Sequence, residues 1–249
     1  TYHPTGSAGA GELWTAVRPA VNGGTPTYTF TYNSFGQPAT STDPSGLVTS
    51  YAYDSANYLR TTSVDPNGLN LVTTLTNNPL GDPVDIDGPR TDVADVSHVR
   101  YDAMRRKWLE SQPDPGTSGG KATAKRTTYD EVGRAKKVDL GYLFNNEFMS
   151  LISTEIEFDA AGNKSKETTP AGVTEFSYDA LNRLQCTAKR MNPGLTNANA
   201  CVATADGAFG PDQISWNSYN EVGDITEISI GVGRSGKLNL GTTFVRYLY

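Results

Sequence analysis

Tyr129-Asp130-Glu131-Val132-Gly133 and Tyr178-Asp179-Ala180-Leu181-Asn182 are copies of one short pattern: aromatic, Asp or Asn, any residue, apolar residue, Gly or Asn. The same pattern recurs at Tyr32-Asn33-Ser34-Phe35-Gly36, Tyr53-Asp54-Ser55-Ala56-Asn57, Phe158-Asp159-Ala160-Ala161-Gly162 and Tyr219-Asn220-Glu221-Val222-Gly223. Two copies are degenerate. Tyr101-Asp102-Ala103-Met104-Arg105 ends in Arg, and Asn77-Asn78-Pro79-Leu80-Gly81 lacks the aromatic. A ninth, Tyr2 to Gly6, keeps only the first and last positions. First positions of the eight main copies lie 21, 24, 24, 28, 29, 20 and 41 residues apart, a base period of twenty-odd residues with loops of varied length. A period in this range marks a repeat architecture.

The residue types are those of a turn. Asp or Asn at the first corner of a type I turn accepts hydrogen bonds from backbone N–H groups further along. Gly or Asn three residues later suits the left-handed conformation, which costs other residues roughly 1 kcal/mol or more. A type I turn followed by such a residue is a common hairpin connection with a bulge. Each copy is therefore predicted to be a hairpin corner, and Arg105 predicts a locally different or mildly strained turn. Strands should flank the corners: Tyr28-Phe30-Tyr32, Tyr51-Tyr53, Ile156-Phe158 and Phe176-Tyr178 show the alternation of half-buried strands. Asp43-Pro44-Ser45-Gly46, Asp65-Pro66-Asn67-Gly68 and Thr169-Pro170-Ala171-Gly172 supply second turns. A lone hairpin is barely stable, so neighbours must stack edge to edge. The prediction is an all-β chain of stacked antiparallel β-hairpins, a single array over 1–249 of about eight to nine units, with a loop insertion at about 186–213.

Composition agrees. Hydrophobic residues make up 37% of the 249, and 25 Gly and 14 Pro occur without collagen-like period, which suits short strands and turns. Thirteen Tyr speak against disorder. A net charge of −6 argues against nucleic acid or an anionic membrane as the main partner. The basic stretch Lys121 to Lys137 is interrupted by Asp130 and Glu131 and reads as a solvated strand face. No apolar run approaches a membrane span. The chain starts at Thr1 within the pattern, which predicts a processed or partial chain.

Tyr129-Asp130-Glu131-Val132-Gly133-Arg134 and Tyr178-Asp179-Ala180-Leu181-Asn182-Arg183 resemble the signature of the Rhs/YD-repeat family: bacterial Rhs proteins, shell components of toxin complexes, and teneurin-like receptors. Copies run from about Tyr2 to Asp224. The resemblance implies that the hairpins form a curved, spiralling β-sheet wall of a hollow shell that often encloses a toxin. It implies no catalysis by the repeats. In that family a self-cleavage segment contains Asp-Pro-x-Gly-Leu, which Asp43-Pro44-Ser45-Gly46-Leu47 and Asp65-Pro66-Asn67-Gly68-Leu69 match. Both lie inside the array at turn positions and read as ordinary turns.

Other chemistry is sparse. His3 and His98 stand alone in sequence, without a visible triad. Asp82, Asp85 and Asp87, with Asp92 and Asp95, are a weak Ca²⁺ candidate that lacks EF-hand spacing, against the reading of a solvated acidic loop. Cys186 and Cys201 lie in the longest interval; a disulfide there would stabilise by about 3 kcal/mol and point to an oxidising compartment, with two free thiols as the alternative. No cofactor is expected. The expected function is a non-enzymatic, extracellular structural wall, as a shell section or the subunit of a tube or filament. Its partners would be further YD-repeat strip or identical chains, around an enclosed cargo. The segment Thr243 to Tyr249 reads as a strand running into an unfinished corner, an edge that another strip could complete. The alternative is a cell-surface adhesion or glycan-binding module using Trp14, Trp108 or Trp216, residues that otherwise should fill strand faces.

Overall fold

Every element of the computed structural model is a β-strand, a turn or a loop. It describes all residues except 21–22, 94, 115, 117–120, 205–209, 235–236 and 247–249, with backbone alone for 233–234 and 237–246. The end of the unfinished corner, Tyr247 to Tyr249, lies outside the described residues. Among the described residues no helix is long and apolar enough to cross a membrane. The chain divides into two compact units, residues 1–124 with 142–148, and 125–141 with 149–249.

The first unit holds β1 (Thr15–Val17), β2 (Thr27–Tyr32), β3 (Pro38–Thr42), β4 (Val48–Tyr53), β5 (Leu59–Val64), β6 (Leu71–Asn77), β7 (Pro83–Asp87), β8 (Val96–Tyr101) and β9 (Lys107–Ser111). Each pairs antiparallel with the next, so the unit is a meander of hairpins. Strands β10 (Ala122–Tyr129), β11 (Ala135–Phe144) and β12 (Glu147–Phe158) follow. The second unit continues with β13 (Lys164–Thr169), β14 (Gly172–Tyr178), β15 (Leu184–Arg190), β16 (Asp212–Tyr219), β17 (Ile225–Arg234) and β18 (Lys237–Arg246), again antiparallel neighbours in order. The predicted all-β hairpin architecture is the observed one.

The corners impose one register. In seven hairpins the ladder shifts just before the motif's first residue, which then faces the residue six further on: Tyr32 faces Pro38, Tyr53 Leu59, Asn77 Pro83, Tyr101 Lys107, Phe158 Lys164, Tyr178 Leu184 and Tyr219 Ile225. The extra residue is a bulge that the left-handed fifth position makes room for. All eight fifth positions have positive φ, including Asn57 at 66°, Asn182 at 59° and Arg105 at 62°.

One expectation is narrowed and one needs correction. Arg105 does not change the turn: its N–H donates to the Asp102 carbonyl at 2.9 Å, as in the other corners, and only its left-handed φ carries mild strain. Tyr2 to Gly6 is not a corner of this kind; Tyr2 forms an isolated bridge with Leu13, and the Ser7 N–H turns back to the Pro4 carbonyl. Its second position is His3, which lacks the Asx oxygen on which the other turns are built.

Burial is thin. Among the described residues the first unit buries only Val99, Leu109 and Ala124 as apolar core. Cohesion must then come largely from the ladders and from links between corners. One link recurs. The first side chain of a corner donates to the carbonyl of the seventh residue of the preceding corner: Tyr53 Oη to Pro38 at 2.9 Å, Tyr101 Oη to Pro83 at 3.1 Å, Tyr178 Oη to Lys164 at 3.0 Å and Tyr219 Oη to Leu184 at 2.6 Å. Asn77, in the copy without the aromatic, makes the same bond through Nδ2 to Leu59 at 2.8 Å. Tyr178→Phe should therefore cost about 1 kcal/mol in urea unfolding while leaving the strand content unchanged; an unchanged midpoint would show that the hydroxyl link contributes nothing.

Candidate functional site

Two constructions stand out on the hairpin frame: the row of corners, and a loop pinned to the sheet of the second unit. At each corner the Asx side chain organises the turn. Asp179 Oδ1 accepts from the N–H groups of Leu181 and Arg183, both at 2.9 Å. Asp102 does the same for Met104 and Arg106, Asp130 for Val132 and Arg134, and Asp54 for Ala56 and Tyr58. Asn33, Asn78 and Asn220 use their amide oxygens identically. The Asp43 turn is a further copy of this geometry, holding the N–H groups of Ser45 and Leu47. The Asp65 turn differs: Asp65 has φ 53° and its Oδ2 accepts from Leu69. The backbone N–H of the sixth residue, opposed by partial desolvation and aided by an arginine, holds the Asp102 and Asp179 carboxyls below the usual range.

The sixth residue completes the corner in a complementary way that the sequence reading missed. At four of the five Asp corners a side-chain donor to the carboxylate stands at the sixth position: Arg106, Arg134 and Arg183 each place Nε 2.7 Å from it, and Asn163 Nδ2 lies 3.2 Å from Asp159, while the corner of Asp54 has Tyr58 there. Where it is Asn, an acceptor stands there: Asn33 donates to Gln37, Asn78 to Asp82 and Asn220 to Asp224. The pairing is visible in the sequence once the register is known.

The sixth residue also reaches the next corner. Gln37 donates to the Asn57 carbonyl at 2.8 Å. The Tyr58 ring occupies the space where a Gly81 side chain would stand. Arg134 and Arg183 lay their guanidinium groups over the Phe158 and Tyr219 rings at 4.1 and 4.5 Å. Asp82 takes the Arg105 guanidinium, which explains why an arginine occupies a fifth position. The apolar fourth residues Phe35, Leu80, Met104, Val132, Leu181 and Val222 are exposed.

The loop is the second construction. It lies between β15, which continues to Arg190, and β16, which begins at Asp212; residues 205–209 are outside the described residues. Cys186 and Cys201 form a disulfide, with Cα atoms 5.3 Å apart. Ala200 and Ala203 of the loop pack onto Cys186, Ala188 and Ile214 of the sheet, with Trp216 beside them. Beneath the loop lies Arg190, whose side chain is fully buried. It donates to Glu175 at 2.6 Å, Asp212 at 2.9 Å and the Val202 carbonyl at 2.8 Å. Asp212 also accepts from the Met191 and Thr204 N–H groups, and Glu175 from that of Asn197. A buried charge without such partners would be strongly unfavourable. Alternation along the strands could have flagged these residues: Glu175, Arg190 and Asp212 fall on the face of Val173, Ala188 and Ile214.

The remaining predicted site residues are dispersed. Asp82 serves Asn78 and Arg105, Asp85 serves His98 at 2.7 Å and Arg100 at 3.2 Å, and Asp87 is exposed at the end of β7. Among the described residues no group of three or more His, Cys, Asp or Glu is arranged to hold a metal ion. His3 bonds the Phe30 carbonyl and packs against Trp14 and Tyr32. Trp14 and Trp108, expected to fill strand faces, are 46% and 38% exposed; Trp14 lies just before β1 and Trp108 in β9. Within the basic stretch Arg126 pairs with Asp139 and Lys137 with Glu155.

Residues 32–69 match the family model described as RHS Repeat, so the chain carries RHS-repeat sequence there. The other corners share the residue pattern and geometry of that segment. No curated protein matches the sequence. Among solved structures, a TcdB2-TccC3-Cdc42 crystal structure matches at 16% identity and TM-score 0.46, covering 87% of this chain and 10% of that one. A Photorhabdus luminescens Tc holotoxin pore with a TccC3 mutation matches at 17% identity and TM-score 0.46, covering 86% and 9%. The chain thus spans about a tenth of the length of the solved chains it matches.

Two measurements test the site. Asp179→Asn or Arg183→Asp alone should lower the melting temperature, whereas the double exchange, which recreates the Asn78–Asp82 pairing, should recover above either; additive losses would refute the pairing. Second, burial opposes ionisation of Asp212, but bonds from Thr204, Met191 and Arg190 hold its carboxyl below 3.8. A depressed carboxyl stabilises above its unfolded value and loses that contribution as pH falls through the folded value. Amide exchange at Ala200 and Thr204 should therefore accelerate only below about pH 4, and Asp212→Asn should remove that dependence.

Proposed function

We propose that this chain is a structural, non-enzymatic section of β wall built from one array of RHS-type repeats. The observation that carries the reading is the direction of the corner links. Within each unit the corners are linked one way: Tyr53, Asn77, Tyr101, Tyr178 and Tyr219 each take the seventh carbonyl of the preceding corner, and the sixth side chains Gln37, Asp82, Arg134 and Arg183 reach the next corner's aromatic or fifth position. Such a strip has no built-in stop and is extended by more of the same. The wall would belong to a hollow shell around a cargo, or to an extracellular tube or filament completed by further repeat strip or identical chains. The disulfide supports an oxidising, extracellular setting. The corner residues Tyr32, Tyr53, Tyr101, Tyr129, Phe158, Tyr178 and Tyr219, with their Asx partners, would be the wall's functional residues.

A second reading, a cell-surface adhesion or glycan-binding module, draws on the exposed Trp14 and Trp108. Electron microscopy of the native material separates the two. The wall reading expects closed shells or tubes one sheet thick; isolated particles, with a chain that stays monomeric at high concentration, would overturn it.

A further inference from the structure

Strand β12 is the longest of the chain, with twelve residues, and its neighbour β13 has six. Their ladder runs only from Phe158 opposite Lys164 to Glu155 opposite Thr168. β13 ends one residue later, at Thr169, which faces Gly172 as the chain turns back into β14. The first half of β12 therefore outruns β13. On its other side β11 accompanies it, with Lys137 on Glu155 at 2.8 Å and Ser150 Oγ reaching Asp139 at 3.4 Å. From Met149 to Ser153 the strand has no β13 residue opposite it, and its edge there is open.

The side chains are uncovered as well. Successive strand residues point to opposite faces, yet Leu151 is 70% exposed, Ile152 is 49% exposed, and Met149 is exposed beside them. Neither face of the sheet is covered at this point. Met149-Ser150-Leu151-Ile152-Ser153-Thr154 carries no charge, Pro or Gly. Natural proteins blunt edge strands with Lys, Pro or inward-pointing charges, and this stretch has none of them. A short uncharged segment of this kind is suited to pairing with copies of itself.

The occupant follows from the backbone and from charge. A row of open N–H and C=O groups along an extended strand is matched in turn by another extended strand. The segment also fits itself. With two copies antiparallel about a two-fold axis between Ser150 and Leu151, Met149 faces Ile152 and Ser150 faces Leu151. Glu147 then lies opposite Thr154, and Glu155, held by Lys137, lies opposite Asn146, so like charges do not meet. An axis on Leu151 would instead set Glu147 against Glu155. We propose that the open edge of β12, Met149 to Thr154, pairs antiparallel with the same edge of a second copy of this chain. This goes beyond the wall reading, in which the strip grows at its terminal strands: β12 is an internal strand, and its edge joins two strips side by side.

The full chain tests this in three ways. Sedimentation equilibrium should show the parent self-associating at concentrations of order 100 µM. Leu151→Lys, which places a charge where the side chain is already in solvent, should weaken that association about tenfold or more. Cys186 and Cys201 are bridged, so an added cysteine is the only free thiol. A Ser150→Cys chain mixed with a Leu151→Cys chain and oxidised in air should give the mixed disulfide faster than either gives its own, because only the mixed pair faces across the axis. The proposal is overturned if the parent stays monomeric well above that concentration, or if the mixed disulfide forms no faster than the like ones. It is also overturned if Leu151→Lys associates as tightly as the parent; such association would belong to the terminal strands, which separates this failure from failure of the wall reading.

Discussion

One side-chain oxygen, accepting two backbone N–H groups, sets the geometry of every corner on which the hairpins depend. At each corner the second residue, Asp or Asn, holds the N–H groups of the fourth and sixth residues. This bond bends the chain, places the fifth residue in the left-handed region and creates the bulge that pairs the first residue with the seventh. Register follows, and with it the face on which each strand residue lies. A one-residue slip would carry Tyr53, Asn77, Tyr101, Tyr178 and Tyr219 away from the carbonyls that they serve in the preceding corners.

Because the units bury few apolar residues, polar links take a larger share of the cohesion than they would in a packed domain. The links are local and directional. At Gln37, Asp82, Arg134, Asn163 and Arg183 the sixth residue complements its own Asx and also touches the next corner, so those next corners are finished partly by a neighbour. Arg105 is the informative case. Viewed in its own corner it is a strained residue at a glycine position; viewed with the preceding corner it is the partner of Asp82. Its mild local strain sits beside a longer-range ion pair.

The second unit departs from this economy where loop residues 191–204 lie over β14, β15 and β16. There the sheet gains an apolar core, a disulfide and a buried arginine between two carboxylates, Glu175 and Asp212. The loop amides and carbonyls complete the shell of that arginine, so the ion cluster and the loop hold each other in place.

Sequence alone determined the repeat, the turn chemistry and the all-β hairpin order, because an Asx residue followed by a left-handed residue constrains only the few residues around it. It also marked Cys186 and Cys201 as a pair to consider, through their place in the longest interval. Tertiary structure decided which atoms meet between corners. The hydroxyl links, the complementary second and sixth residues and the role of Arg105 all require the bulged register, which shifts partners by one and is set by hydrogen bonding across strands. Structure likewise decided that Lys189 and Arg190 belong to a strand, with Arg190 beneath the loop, since its burial depends on Glu175 and Asp212 arriving from two other strands. The part exposure of Trp108 is of the same kind: an aromatic residue in a strand can face either way, and only the folded sheet determines how much of it is covered.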